Sequence, residues 1–157
     1  MIAVNAEAQS TFSNGQKIAI TTAVPFLRIS PDARSGAMGD VGIAISADAN
    51  AQYWNVGKIP FAKKKYGISA TYTPWLQDLV PDVNLVYVSG YAKFGKDDNQ
   101  AISGSLRYFS LGNINYTNDQ GIGIGTGMPR EFSIDFGYSR RLSTYLSTGI
   151  NLRYIHW

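Results

Sequence analysis

Residues able to do chemistry are few in this chain, and they are scattered. His156 is the one histidine, so a Ser-His-Asp arrangement would depend on a residue beside the last position with no flanking group to orient it as a base. It falls on the apolar side of its segment's alternation and reads as an interfacial residue. Asp97-Asp98 are adjacent acids in the compact polar turn Gly95-Lys96-Asp97-Asp98-Asn99, and read as solvated rather than as an acid–base pair. Cysteine is absent, which excludes disulfides, thiolate metal sites and a cysteine nucleophile; with a single histidine, a two-His zinc site is excluded too. The run GIGIGTG, Gly121 to Gly127, would cradle a phosphate only between a strand and a helix. Met128-Pro129-Arg130 and the alternating stretch behind it supply no helix. No catalytic residue, metal ligand or cofactor is therefore assigned, and no enzyme is expected.

The elements that must carry this chemistry are strands. The chain has 157 residues, 45% hydrophobic and 13% aromatic, with sixteen Gly and ten Tyr. No apolar run approaches the ~18 residues of a membrane helix, so a membrane crossing would have to use strands, with interfacial aromatics and tight turns. Period-two alternation begins at Tyr66: Tyr66, Ile68, Ala70 and Tyr72 oppose Gly67, Ser69, Thr71 and Thr73. A second strand runs from Val83 to Phe94 with both faces mixed and no clear orientation. A third runs from Gln100 to about Phe109, with Ile102, Leu106 and Tyr108 opposing Ser103, Ser105 and Arg107. Leu111 to Arg130 reads as a long mobile loop, with a possible strand extension through Ile114 and Tyr116. The fourth, Glu131 to Arg141, sets Phe132, Ile134, Phe136 and Tyr138 against Ser133, Asp135, Gly137 and Ser139. The fifth starts at Tyr145, with Leu146, Thr148, Ile150, Leu152 and Tyr154 against Ser147, Gly149, Asn151 and Arg153.

Alternation also describes a soluble sandwich. Three features favour a transmembrane antiparallel barrel. The strands match the ~9–11 residues of a tilted crossing. The connections alternate between longer (the proline-bracketed Pro74 to Asp82, then 111–130) and short, as outer loops and periplasmic turns do. The polar parity is Ser, Thr, Gly, Asn and Arg rather than the Lys/Glu of a soluble surface. An arginine facing lipid at mid-bilayer costs roughly 2–4 kcal/mol, so Arg107, Asp135 and Arg153 should face the lumen with Asn151. Five strands do not close such a barrel, whose smallest members have about eight, so the chain reads as the N-terminal part of a longer one.

Ahead of the strands lies Ile20 to Gly57, which reads as a short helical or irregular plug. Ser30-Pro31-Asp32 offers an N-cap serine and a proline at the first helical position, Gly36 and Gly39 stop that helix, and Val41 to Ile45 is a short apolar run. Asp48 to Gln52 can nucleate another turn, and Tyr53-Trp54-Asn55 ends the segment on an aromatic pair suited to a membrane–water boundary. Arg28, Asp32, Arg34 and Asp40 are candidates for pinning this plug to lumen charges. The expected division is a flexible lead-in over 1–17, a plug over 18–60 and barrel strands over 61–157. In the lead-in, Ala6-Glu7-Ala8 has the small-x-small pattern of a signal-peptidase site, without the basic and apolar regions that precede one. Lys63-Lys64-Lys65 is the one basic run and reads as a solvated or headgroup-level flank. A net charge of +3 without a basic, aromatic-studded face argues against nucleic acid.

The stretch PFLRISPDARSGAMGDVGIAISADANAQYWN, Pro25 to Asn55, resembles the N-terminal region of the PorV/PorQ family of Bacteroidetes outer-membrane proteins, a branch of the FadL-like barrels. RYFSLG, EFSIDFGYSRRLS and LRYI extend the resemblance through the strands. It is closer to the type IX secretion members than to the fatty-acid transporters, in which the DANAxYWN-type piece is followed by Asn-Pro-Ala; here the tripeptide is Asn55-Val56-Gly57. The resemblance implies a barrel of about fourteen strands, within the usual range, in the cell outer membrane. It implies a carrier in type IX secretion that receives cargo bearing a C-terminal signal domain from the translocon and delivers it to the surface attachment complex. On that reading the partners are cargo, translocon and attachment proteins and outer-membrane lipid. Trp75 to Asp82 and Asn113 to Arg130 are expected contact loops, with Trp75, Leu76, Tyr116 and Met128 as candidate residues. The alternatives are a FadL-like transporter of hydrophobic small molecules and a soluble β-rich binding module.

Overall fold

The computed structural model describes residues 24–74, 82–117 and 123–156. The lead-in over 1–17, Trp75 and Leu76 with the loop to Pro81, and Gly121 and Ile122 lie outside the described residues. The strands are β1 Tyr66–Pro74, β2 Val83–Phe94, β3 Gln100–Leu111, β4 Ile114–Thr117, β5 Gly123–Gly127, β6 Arg130–Arg141 and β7 Ser147–His156. Five form one antiparallel sheet in the order β1-β2-β3-β6-β7, and β4 pairs with β5 in a separate two-stranded ribbon. The fold is all-β, as the alternation predicts. The expected mobile loop over 111–130 is corrected by the ribbon: its glycine-rich arm, Gly123–Gly127, pairs with Ile114–Thr117. Glycine alternating with Ile124 and Thr126 carries too little side-chain signal for period two to register as a strand.

Register turns the large sheet into rows. On one face they read Tyr66, Ala92, Ile102, Tyr138, Ile150; then Ile68, Gly90, Gly104, Phe136, Leu152; then Ala70, Val88, Leu106, Ile134, Tyr154; then Tyr72, Val86, Tyr108, Phe132, His156. None of these four rows holds an Asp, Glu, Lys or Arg. The rows beyond them, Phe94, Gln100, Arg140, Thr148 at one end and Pro74, Asn84, Ser110, Arg130 at the other, each bring one arginine and two uncharged polar residues. This face is exposed: Ile68 is 84% accessible, Ile150 67% and Leu152 68%. The opposite face, with Ser89, Ser103, Ser105, Arg107, Ser133, Asp135 and Ser139, is buried. A sheet in water has the reverse arrangement, with its apolar side covered.

The spacing of the rows fits a bilayer. The two polar rows are five steps apart, about 33 Å along the strands at ~3.3 Å per residue. A strand tilt of about 40° reduces this to roughly 25 Å, the height of an outer-membrane apolar band. The register also orients β2, whose sequence pattern is ambiguous: Leu85, Tyr87, Ser89, Tyr91 and Lys93 face inward. Its inner face is part apolar because the segment ahead of β1 packs on it.

That segment, residues 24–62, is a chain of short turns. Pro25–Arg28 is a 3-10 turn, α1 spans Ala33–Ala37, α2 spans Ala51–Trp54, and a second 3-10 run covers Val56–Phe61. The N-cap of α1 is Asp32 rather than Ser30: its carboxylate accepts from the Ser35 amide at 2.9 Å and the Ser35 hydroxyl at 2.8 Å. A carboxylate reaches the N3 amide and favours the positive helix end, so it displaces the upstream serine from that role. Gly36 lies inside α1, and the helix stops at Gly39 and Asp40, whose φ values are 76° and 62°. Asp48 Oδ1 accepts from the Asn50 amide (3.0 Å) just ahead of α2. Asn55 starts the following 3-10 run by accepting from the Gly57 amide at 3.0 Å. A side-chain cap thus sets the turn at Asn55-Val56-Gly57.

Candidate functional site

The site is the contact between this insert and the polar face of the sheet. Ascending from β1, the insert crosses successive inward rows. Near its exit, the Lys93 ammonium donates to the Ala62 carbonyl at 2.7 Å, and the Ser147 hydroxyl donates to the Gly57 carbonyl. The next row is Gly67, Tyr91, Ser103, Gly137 and Asn151. There Gln52 lies across Gly137: its Oε1 accepts from the Ser103 hydroxyl, and its Nε2 donates to Asn151 Oδ1 at 2.9 Å. Gly137 leaves the space for this side chain. A Cβ there would stand 2.6 Å from Gln52 Oε1, 2.6 Å from Ser103 Oγ and 2.9 Å from Val56 Cγ1.

One row higher, Ser89 donates to Asn50 Oδ1 at 3.3 Å. In the same row Asp135 faces Arg153 directly across β6 and β7 and Ser105 on β3. Arg153 donates to both Asp135 oxygens and Ser105 to one, at 3.0 Å. The carboxylate is 4% accessible as a residue, so its partners replace the water it has lost. The top of the insert is held by Arg107, 1% accessible. Its Nη1 donates to the Phe26 carbonyl at 3.0 Å, and its guanidinium lies 4.6 Å from the Tyr53 ring centroid and 5.4 Å from that of Tyr87. No carboxylate pairs with it among the described residues. The charge is balanced by aromatic faces and a carbonyl, a use to which the planar guanidinium is suited. Phe26 itself stacks over Phe109 at 6.5 Å.

The structure thus brings Arg107, Asp135, Asn151 and Arg153 onto the inward face, with Arg107 and Asp135 buried and Asn151 and Arg153 exposed on β7. Of the residues of the insert named from sequence, Asp32, Arg34, Tyr53 and Trp54 make contacts within the insert, and Tyr53 also meets Arg107 of the wall. Asp32 is a hub: besides capping α1 it accepts from Trp54 Nε1 at 3.2 Å. Tyr53 donates to the Leu27 carbonyl at 2.8 Å and meets Trp54 edge-on at 4.7 Å. Both polar atoms of this aromatic pair thus find protein partners within the insert. Arg34 pairs with Asp48 at 3.4 Å and donates to Ser46. Arg28 and Asp40 are exposed. Burial lowers the pKa of Lys58 from the ordinary lysine value, with nearby Asp48 opposing the shift; its ammonium donates to the Gly42 and Ile45 carbonyls. Asn50, Gln52 and Phe26, which reach the wall, were not marked by sequence. A polar residue in a short helix carries no periodic signal of what it faces.

Elsewhere, His156 packs beside Phe132 at 5.1 Å on the exposed face, and Asp98 lies 4.0 Å from Lys93. Met128 is 60% exposed at the ribbon's end, and Tyr116 is on β4. Among the described residues no three His, Cys, Asp or Glu side chains gather as metal ligands, and no helix is long and apolar enough to cross a membrane. Replacing Asp32 with alanine should cost about 1–2 kcal/mol of local stability. Amide exchange over Ser35 to Asp40 should speed accordingly while β3 and β6 exchange unchanged.

No curated protein matches the chain. The family model described as type IX secretion system protein PorV matches residues 12–157. That match takes in the insert, its seat on the polar wall and the strands on both sides, and the chain belongs to the PorV family of type IX secretion system proteins.

Proposed function

We propose that this chain forms the N-terminal part of an outer-membrane β-barrel that carries cargo with a C-terminal signal domain to the cell-surface attachment complex. The observation that carries the reading is the inverted sheet: four uncharged rows outward, and a charged, hydrogen-bonded face covered by the insert. With lipid outside, the exposed Ile, Leu and Phe side chains are buried in hydrocarbon, and the inward Ser, Asp and Arg groups line a lumen. Residues 24–62 then act as a plug on the periplasmic side. The work is binding rather than catalysis: the longer connections at the far end, Trp75 to Asp82 and the ribbon of β4 and β5, are the surfaces offered to cargo and translocon.

The test is a detergent pull-down of the full-length protein from native outer membranes, with accompanying proteins and extractable lipids identified. Recovery of translocon subunits or of cargo sharing a C-terminal domain is the expected result. Stoichiometric fatty acid with no protein partner would replace this reading with transport of a hydrophobic small molecule. A cavity of about 570 Å³ between insert and β1, lined by Ile45, Phe61, Ile68 and Tyr91 with Lys58 and Lys64, is where such a ligand would be sought. Fractionation with soluble protein would overturn both.

A further inference from the structure

The two ends of the outward face differ in charge. At the end where the insert enters β1, Tyr66 and Tyr138 share a row with Ala92 and Ile102, and Phe94, Gln100 and Arg140 lie one row further out. Tyr138 Oη donates to Gln100 Oε1 at 2.9 Å, which turns the phenol toward the polar side. Beyond them Lys63, Lys64, Lys65 and Lys96 are exposed, and Arg141 donates to the Asp97 carbonyl at 3.1 Å. Against these cations and Arg140 stand Asp97, Asp98, which lies 4.0 Å from Lys93, and Asp48, which lines the same cavity as Lys63 and Lys64 but is paired with Arg34 at 3.4 Å. Interleaved with the cations are Phe94, Leu142, Tyr145 and Leu146, exposed by 40%, 58%, 95% and 58%. At the opposite end the outermost row, Pro74, Asn84, Ser110 and Arg130, brings one cation.

We infer that the insert end of the sheet is a docking surface for anionic phospholipid, with headgroup phosphates bound by Lys63, Lys64, Lys65, Lys96 and Arg140 and acyl chains against Tyr66, Phe94 and Tyr145. The inference rests on the outer-membrane barrel reading. The connections at this end, Gly95 to Asn99 and Leu142 to Leu146, are short, which makes it the periplasmic end, where the leaflet is phospholipid. Lysine and arginine stems lie along apolar surface while their heads reach the phosphates, and tyrosine suits the boundary between the two. Charge complementarity alone would also admit an acidic protein or a nucleic acid. The exposed leucines and aromatics at the same height decide for lipid, because a hydrated polyanion would leave them in water.

The experiment uses the full-length protein in neutral detergent, offered equimolar phosphatidylglycerol and phosphatidylethanolamine of matched chains, with retained lipid counted by native mass spectrometry. Phosphatidylglycerol should be retained preferentially, and the preference should fall with ionic strength. In the variant K63Q/K64Q/K65Q/R140Q it should drop at least tenfold, given a loss of about fivefold per removed charge. Equal retention of the two lipids by the unaltered protein would overturn the inference, as would a preference that survives the four substitutions. Preferential retention of lipid A in a parallel sample would also overturn it. Heat-modifiable migration on a denaturing gel reports the folded barrel in every sample. A folded barrel without anionic preference ends this inference alone, and a detergent-independent soluble protein ends the barrel reading.

Discussion

Arginine in place of Leu106 should destabilise the full-length protein in lipid vesicles by about 2–4 kcal/mol, the cost of a cation at the bilayer midplane on a barrel's lipid face. Leu106 lies on the outward face, in the row of Ala70, Val88, Ile134 and Tyr154, with two uncharged rows on one side and one on the other. Its side chain is 45% accessible and touches little that a longer chain would displace. The substitution therefore separates two environments by magnitude. On a surface facing water, an exposed leucine replaced by arginine changes stability by no more than about 0.5 kcal/mol. In hydrocarbon the guanidinium must pull water inward or distort the wall. Urea titration of the vesicle-folded protein, followed by tryptophan emission, reads the difference. Thr144→Arg is the control: Thr144 is exposed in the turn before β7 and should change stability little. Equal, small effects at both positions would remove the membrane from the account of this face.

Leucine in place of Gly137 should lift the insert from the wall, at a cost of about 3–5 kcal/mol when overpacking and the loss of two or more hydrogen bonds are taken together. An alanine there already presses on three side-chain atoms at 2.6 to 2.9 Å, and Ser103 and Val56 can yield by rotating. Leucine fills the groove in which Gln52 lies, so the bonds from Gln52 to Ser103 and Asn151 cannot form with the insert seated. The strands themselves lose nothing, since Gly137 keeps its backbone pairing with Ser103 and Asn151. The expected result is a folded wall with a released insert. Trypsin should cut at Lys58 within minutes under conditions in which the unaltered protein resists, and planar-bilayer conductance of the full-length barrel should rise. Retained protease resistance with unchanged conductance would mean that Gln52 does not seat the insert.

These outcomes depend on two kinds of information of different origin. The alternation of β1, β3, β6 and β7 is legible because period two is local: each residue's face follows from its neighbours two positions away. The placement of Arg107, Asp135 and Arg153 on one side was equally legible, since each falls on the polar parity of its strand. The PorV character could be read in Pro25 to Asn55 because that block holds many specified residues in a short span. β2 resisted this reading because its inward side carries Leu85, Tyr87 and Tyr91 where the insert covers it. Its two faces therefore meet environments less different than those of its neighbours.

By itself the sequence determined strands with two unlike faces, a block of short turns ahead of them, and the absence of a cysteine or two-histidine chemistry. Only the tertiary structure decided which groups meet across the wall. Gln52 and Asn151 are 99 positions apart, and Arg107 meets the Phe26 carbonyl across 81. Pairings at such separations leave no periodic trace in a single chain. They follow from the register of β3, β6 and β7, which sets Ser103, Gly137 and Asn151 side by side. The glycine in the middle of that row leaves the one gap through which a glutamine from the insert can reach both neighbours.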